Sequence, residues 1–384
     1  MQVTGDWLTA PDTQRVLRAL ADAGHQAYTV GGCVRNALLG VPVADVDMAT
    51  DARPEQVVEI VGAAGMKSVP TGIDHGTITV ISNGIPHEVT TFRKDVATDG
   101  RRATVAFSDN IHDDALRRDF TVNALYVAAD GTLTDPVGGL PDIKARRIRF
   151  IEDAARRIEE DYLRILRFFR FYAWYGNPAE GPDPEGLAAC ATHVEGIARL
   201  SKERNGSEMK KLLAAPDPAP ALAAMDACGA LAQVLAGASA QFIAPLVHLE
   251  QVNTIAPRWQ RRLVALGGEK PAKALRLSKA EARDLSNIRK AMQSGESAAV
   301  NAYLFGGDAA LDAALVTAAT LGTPLPDGLA VEVARGASAE FPLRGADLME
   351  KTGAGPQLGA ELKRLERRWI DSGFTLDKSA LLDG

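Results

Sequence analysis

Apolar residues in the first 150 positions fall at two different spacings, and the changes of spacing locate the elements. Residues 13–23 place apolar side chains three and four apart, which predicts an amphipathic helix. The short run Tyr28-Thr-Val30 ends in Gly31-Gly32, predicting a strand, a tight turn and the start of a helix. Further strands are predicted at residues 45–49, 76–81 and 87–92, where β-branched residues recur and Gly, Pro or Asn bounds the runs. Between residues 93 and 112 the periodicity vanishes and polar residues dominate, which predicts a long loop.

After Ile151 no strand pattern returns. Ala and Leu become frequent, and Pro/Gly clusters at 176–186 and 216–220 separate helical stretches. No fixed-period repeat is present. The pattern predicts a mixed α/β part followed by helical modules, with boundaries near 150, 215 and 300.

Composition narrows the class. A chain of 384 residues exceeds what one hydrophobic core usually organises, and its 46% hydrophobic and 24% charged content is that of a globular protein. No apolar run approaches the roughly 18 residues of a membrane span. The first ten residues lack a basic region followed by an apolar stretch, so a cytoplasmic location is expected. Cys33, Cys190 and Cys228 form no C-x-x-C pair, which argues for buried thiols rather than a zinc site or disulfide framework. The net charge of −6 excludes a uniformly positive coat, but its distribution is uneven. Residues 144–170 carry nine Lys/Arg against five Asp/Glu, and residues 199–211 five against two, so a polyanion would be drawn to the middle of the chain.

Candidate chemistry clusters in the same regions. Asp45 and Asp47 stand two apart, and on a strand such residues share a face, where two carboxylates can hold magnesium together with substrate phosphates. An isolated D-x-D is more often a solvated turn or strand edge. Ten residues before Asp45, Gly31-Gly-Cys-Val-Arg35 closes a strand and opens a helix. Such glycines let backbone N–H groups approach a phosphate, and Arg35 adds a charged fork. Glu88 is a third carboxylate if its strand lies beside that of Asp45, and otherwise a cross-strand ion-pair partner. Arg117 and Arg118 precede an apolar run and suit a triphosphate, or simply charge the first turn of a helix.

Residues 160–172 are the most informative stretch. Arg164, Arg167 and Arg170 recur every third position with large apolar residues in nearly every gap, so these cations are expected to be partly buried and to need anionic or hydrogen-bonding partners. Ion pairs with Glu159, Glu160 or Asp161 would also serve. Asp161 and Arg164 lie at i and i+3. An ionised Asp only accepts hydrogen bonds and Arg only donates. Cytosine and adenine both present an amino donor beside a ring-nitrogen acceptor, whereas uracil and guanine present a carbonyl beside an N–H. One Asp/Arg pair can therefore select C and A without a template.

Read together, Gly31-Gly-Cys-Val-Arg35, Leu38-Leu-Gly40, Asp45-Val-Asp47, Gly76-Thr77, Asp99-Gly-Arg-Arg102, Arg117-Arg-Asp-Phe-Thr-Val-Asn-Ala124, Asp135-Pro-Val-Gly-Gly139 and Glu160-Asp-Tyr-Leu-Arg164 resemble the class II CCA-adding tRNA nucleotidyltransferase and bacterial poly(A) polymerase family. The resemblance is close over about residues 25–215. It implies an α+β chain with a polymerase-beta-like nucleotidyltransferase head (1–150), a helical neck for base recognition (151–215), a helical body (216–300) and a helical, RNA-binding tail (301–384). Asp45 and Asp47 would be ligands of Mg2+, with Glu88 the third catalytic carboxylate. Gly32 and Arg35 would meet the nucleotide phosphates, Arg117 and Arg118 the incoming nucleotide, Asp161 and Arg164 its base, and Arg167 and Arg170 would complete the pocket. The implied substrates are CTP, ATP and a tRNA 3′ end. Poly(A) or A-only addition within the family is the alternative.

One departure stands out: Arg35 is followed by Asn36 where the family usually has Asp, which could alter how Arg35 is held. Relatives that add only CC resemble versions with a shortened loop ahead of the paired arginines. The long 93–114 segment with its Asp99-Gly-Arg-Arg102 therefore implies that A can be added. A His-Asp phosphohydrolase domain, carried by some relatives, is not expected, because His248 is the one histidine after Ser201.

Overall fold

The computed structural model describes residues 1–99, 102–353 and 355–383, apart from the side chains of 74, 95–99, 102–105 and 350–352. Nine strands lie in the first part: β1 (Ala27–Val30), β2 (Met48–Thr50), β3 (Lys67–Gly72), β4 (Thr77–Ser82), β5 (Ile85–Thr91), β6 (Arg93–Asp99), β7 (Arg102–Phe107), β8 (Tyr126–Ala128) and β9 (Leu133–Thr134). Seven of them form one mixed sheet in the order β3-β4-β5-β2-β1-β8-β9. The pairing of β2 with β5 is parallel, with Met48 opposite Val89. All other pairs are antiparallel. The sheet buries alternate residues, as a one-sided core demands: Ile78 and Val80 of β4 are closed off while their neighbours are part-exposed. Val30, Ala49, Phe92, Ala124 and Tyr126 form a continuous cluster beneath the site.

Three sequence expectations need correction. Asp45 and Asp47 precede β2 rather than lying within it, since the strand begins at Met48. Residues 93–107 are not a loop but the antiparallel hairpin β6–β7, a separate two-stranded sheet. Arg117 and Arg118 do not open a helix: Arg117 caps the C-terminus of the Ile111–Leu116 helix, and a short 3-10 turn, Thr121–Asn123, follows. Strand β3 and the short strands β8 and β9 were absent from the sequence pattern. Of the Asp99-Gly-Arg-Arg102 motif, Gly100 and Arg101 lie outside the described residues, as do the side chains of Asp99 and Arg102.

Beyond β9 every regular element among the described residues is a helix. The chain divides into two compact units, Met1–Ala236 and Gly237–Gly384. In the first, the Leu163–Tyr175 helix turns Ile165, Leu166, Phe168 and Phe169 inward. Phe168 stacks on Phe150, at 5.5 Å between ring centroids, and Phe120 packs 4.9 Å from Phe150, fixing this helix to the segment that carries Arg117 to Asn123. In the second unit, Arg261 and Arg262 are buried and share Glu250, while Arg261 also bonds Asp312. Leu365, Trp369 and Ile370 belong to another apolar cluster there. No helix among the described residues is long and apolar enough to cross a membrane.

Candidate active site

The parallel pairing of β2 with β5 brings the carboxylates together. Met48 stands opposite Val89, so one step back along the same register puts Asp47 opposite Glu88. The Val30 amide donates to the Asp47 carbonyl at 2.9 Å, which ties this residue to the end of β1. Asp45, Asp47 and Glu88 are all exposed. The Asp47 carboxyl is pushed above its usual range, first by desolvation, then by the charges of Glu88 and Asp45, with Arg118 acting in the opposite direction. Three negative charges thus share one neighbourhood. Among the described residues none of the three forms a salt bridge, whereas Asp114, Asp119, Glu160, Asp161 and Glu208 around them are each bonded to arginine. Their donor atoms are the hard oxygens that suit a small divalent cation. No three His, Cys, Asp or Glu side chains among the described residues form a ready-made cage, so phosphate oxygens would have to complete the coordination.

Beside Asp47 lies a cavity of about 510 Å³, within the size range of small-molecule sites. Gly31, Gly32, Arg35, Arg117, Arg118, Asp161, Arg164, Arg167 and Arg170 all line it, together with Asp47, but Asp45 and Glu88 do not. The turn into the Gly32–Leu39 helix needs Gly31 more than Gly32: Gly31 has φ 77°, and a Cβ there would stand 3.4 Å from Nη1 of Arg118.

Arg35 is buried and held by neutral groups only. Its Nη1 donates to Oδ1 of Asn123, and its Nη2 to Oδ1 of Asn36 at 2.9 Å and to the Tyr175 hydroxyl at 3.0 Å. Its guanidinium lies 4.1 Å from the Tyr175 ring centroid. The Asn36 amide in turn donates to the Pro42 carbonyl at 3.0 Å, which fixes the direction of Oδ1. With Asn at this position no carboxylate bonds Arg35 directly; the Asp119 charge acts on it without a bond, and its guanidinium rests on aromatic rings at the cavity wall. Burial pulls the Arg35 pKa below its usual value.

The remaining arginines are paired. Arg117 and Arg118 grip the fully buried Asp114, with Arg118 Nη2 2.9 Å from its Oδ2. Despite burial, these two cations and the Tyr126 hydroxyl hold the Asp114 carboxyl down at about 2. Arg167 Nε donates to Asp119 at 2.6 Å, and the Asn123 amide donates to the other Asp119 oxygen at 2.9 Å. Against its desolvation, Arg167 and Asn123 hold Asp119 at about 2. Arg170 Nε donates to the buried Glu208 at 2.6 Å.

Asp161 and Arg164 do not bond each other's side chains. Asp161 terminates the Ala154–Glu160 helix; one of its oxygens accepts from Arg204 at 2.6 Å and the other from the Leu163 amide at 3.1 Å. Arg164 donates to Glu160, to the Arg157 carbonyl at 2.8 Å and to the Arg117 carbonyl at 3.2 Å. Each side chain is therefore oriented by a third group, with both facing the same cavity.

Sequence reasoning missed the holders: Asp114, Asp119, Asn123, Tyr175, Arg204 and Glu208. Some signal existed. Asp119 and Asn123 lie inside the quoted Arg117 motif, and Arg204 and Glu208 stand four apart in a charged helix. Asp114 has its arginines three and four residues on, but Asp119, Asn123, Tyr175, Arg204 and Glu208 each have a cavity partner 38 to 140 residues away along the chain.

A mixed sheet that presents clustered, unpaired carboxylates beside an arginine-lined cavity is chemically suited to a nucleoside triphosphate and a divalent cation, the substrates of a nucleotidyltransferase. The poly A polymerase head domain family matches residues 27–149, and the family described as the probable RNA and SrmB-binding site of polymerase A matches residues 182–242. The mitochondrial CCA tRNA nucleotidyltransferase 1 of Mus musculus is 34% identical over 382 residues, covering 94% of this chain and 87% of its own. The CCA-adding enzyme of Streptococcus pyogenes serotype M2 is 42% identical over 217 residues, which is 56% of this chain and 52% of its own. Among solved structures, the Bacillus stearothermophilus CCA-adding enzyme in complex with CTP superposes with a TM-score of 0.76 at 30% identity, covering 94% of this chain and 93% of that one. The chain belongs to the CCA-adding tRNA nucleotidyltransferase family.

Proposed function

We propose that this chain adds CMP and AMP, without a template, to the 3′ end of tRNA from CTP and ATP. In this reaction the RNA 3′ hydroxyl attacks the α-phosphorus, the bond to the bridging oxygen breaks, and pyrophosphate leaves. The observation that carries this reading is the contrast at the cavity: three carboxylates without an arginine partner beside a wall of arginines that, Arg35 excepted, are bonded to acids.

On this reading the Gly31-Gly32 turn and Arg35 receive the triphosphate, because Arg35 alone of the cavity's head-side arginines has no acid bonded to it. Arg117 and Arg118 add positive potential while Asp114 keeps them fixed. Asp161 accepts from the exocyclic amino group of cytosine or adenine and Arg164 donates to the adjacent ring nitrogen. Arg204 and Glu160 hold the two readers at a fixed spacing, so a base presenting a carbonyl and an N–H leaves both mismatched. Arg167 and Arg170 close the far wall. Asp45 and Asp47, with Glu88 beside them, would hold Mg2+, which supplies charge neutralisation at the reacting phosphate. The division into head (1–150), neck (151–215), body (216–300) and RNA-binding tail (301–384) belongs to the same proposal, as does work in the cytoplasm.

The test is an extension assay. Purified protein with Mg2+, CTP, ATP and a tRNA lacking its last three nucleotides is expected to give products three nucleotides longer. Products that stop at one addition, or long runs of A, would overturn CCA addition.

A further inference from the structure

The cavity does not account for every residue on one face of the Leu163–Tyr175 helix. At about 100° per residue, Arg164, Arg167, Arg170, Phe171 and Tyr175 fall within an arc of about 140°, and Trp174 lies inside that arc, between Arg167 and Arg170 and beyond them toward the C-terminus. Arg164, Arg167, Arg170 and Phe171 line the cavity, and Tyr175 covers Arg35. Trp174 is 39% exposed. It is nevertheless held, because its Nε1 donates to the Lys211 carbonyl at 2.8 Å and its ring lies 6.5 Å from that of Tyr175. Lys211 continues a second such face. On the Lys202–Leu213 helix, Arg204, Glu208 and Lys211 are spaced by four and three, so they align. Arg204 lines the cavity and Glu208 bonds Arg170 from that helix. Lys211 is exposed and has no carboxylate partner among the described residues.

Two helix faces that build the nucleotide cavity therefore run on, past its edge, to a fixed exposed indole and an unpaired ammonium. A nucleobase stacks on an aromatic face whatever its sequence, and a neighbouring cation meets its phosphate. We propose that Trp174, with Lys211, forms a stacking subsite for an unpaired nucleotide at the 3′ end of the RNA substrate. This rests on the RNA-extending function proposed above. A single platform of this kind would orient the end of an RNA that has no template strand to fix it, and it places RNA recognition on the same rigid helix as base selection.

The test uses the full chain and a hairpin RNA whose unpaired 3′ nucleotides carry 2-aminopurine at the last or the penultimate position, with no nucleoside triphosphate present. Wild-type protein is expected to quench the probe at one of these positions. Trp174→Phe should retain the quenching and Trp174→Ala should lose it. In steady state, Trp174→Ala should raise KM for RNA by about tenfold to a hundredfold, leaving KM for CTP unchanged. Lys211→Ala should weaken RNA binding at low salt more than at high salt. Unaltered quenching in Trp174→Ala would overturn the subsite, as would a rise in KM for CTP as large as that for RNA, which is the mark of a merely structural role. Quenching is read without turnover, so a wild-type protein that quenches the probe yet incorporates no CMP would instead count against the function on which the subsite rests.

Discussion

Asp47 lines the cavity, feels the charges of Glu88 and Asp45 and forms no salt bridge among the described residues, so its charge is the most direct handle on the proposed chemistry. Asp47→Ala is expected to reduce CMP incorporation to background while filter binding of tRNA persists; incorporation at the wild-type rate would refute its role. The same side chain sets a pH dependence. Its pKa is raised by desolvation and by Glu88 and Asp45, and under the proposed role Asp47 would have to be ionised to hold Mg2+. Proton uptake, and with it loss of kcat/KM, should therefore begin at a higher pH than an ordinary aspartate would give. An acid limb at or below the usual aspartate range would contradict this assignment. For base choice, Asp161→Ala should lower the preference for CTP over UTP by about tenfold or more, since the mismatched carbonyl no longer faces an anion. Arg204→Ala should move the preference in the same direction, because Arg204 holds one Asp161 oxygen at 2.6 Å. An unchanged nucleotide preference in both variants would take the pair out of base reading. That Asp47, Asp161 and Arg164 line one cavity follows from motifs that the sequence already displays, Asp45-Val-Asp47 and Asp161 with Arg164 three residues on. Arg204 and Tyr175 were not legible in this way, since what they do depends on partners 43 and 140 residues away.

Elements are secured at the site by buried charges, and these have their own signatures. Asp114 and Asp119 have folded pKa values of about 2, below the ordinary aspartate value. Each contributes stability that is fully present above that ordinary value and is lost as pH falls through about 2, on the order of 2 kcal/mol apiece. Acid titration followed by circular dichroism should show a loss concentrated between about pH 4 and pH 2. Asp119→Asn should flatten that part of the curve, and an identical acid dependence would show that the pair with Arg167 does not stabilise the ionised form. Glu208→Ala leaves Arg170 without its acid and should cost about 3 kcal/mol by chemical denaturation. At this scale the sequence pattern named the helices and the strands of the sheet's centre, where one face is buried and the period shows. It failed on β6–β7, since a hairpin standing apart from the seven-stranded sheet need not carry the apolar alternation that a buried face imposes. It also failed on β3, whose six residues lack a buried alternate face, and on β8 and β9, which are three and two residues long.

For the whole molecule the question is how a chain of net charge −6 would hold the polyanion that the proposed function requires. The cavity arginines do not provide the answer, because most of them are already bonded to acids. Besides Arg35 and Lys211, further unpaired positive charge lies in the second unit, where Lys270, Lys273, Arg289 and Lys290 line one cavity and none has a carboxylate partner among the described residues. Sequence counting singled out residues 144–170 and 199–211 for their excess of basic residues, but an excess of charge is not the same as unpaired charge, and only the folded contacts tell the two apart. Binding to phosphates releases counterions, so each lost contact should reduce the slope of log affinity against log salt by about 0.7 to 0.9. Lys273→Ala combined with Lys290→Ala is therefore expected to weaken tRNA binding and flatten its salt dependence by between one and two units, while KM for CTP stays at the wild-type value. Fluorescence anisotropy of labelled tRNA across a range of KCl concentrations measures both quantities. Wild-type affinity with an unaltered slope would mean that these four cations face solvent rather than RNA, and would return the search for the RNA-holding surface to the 301–384 segment.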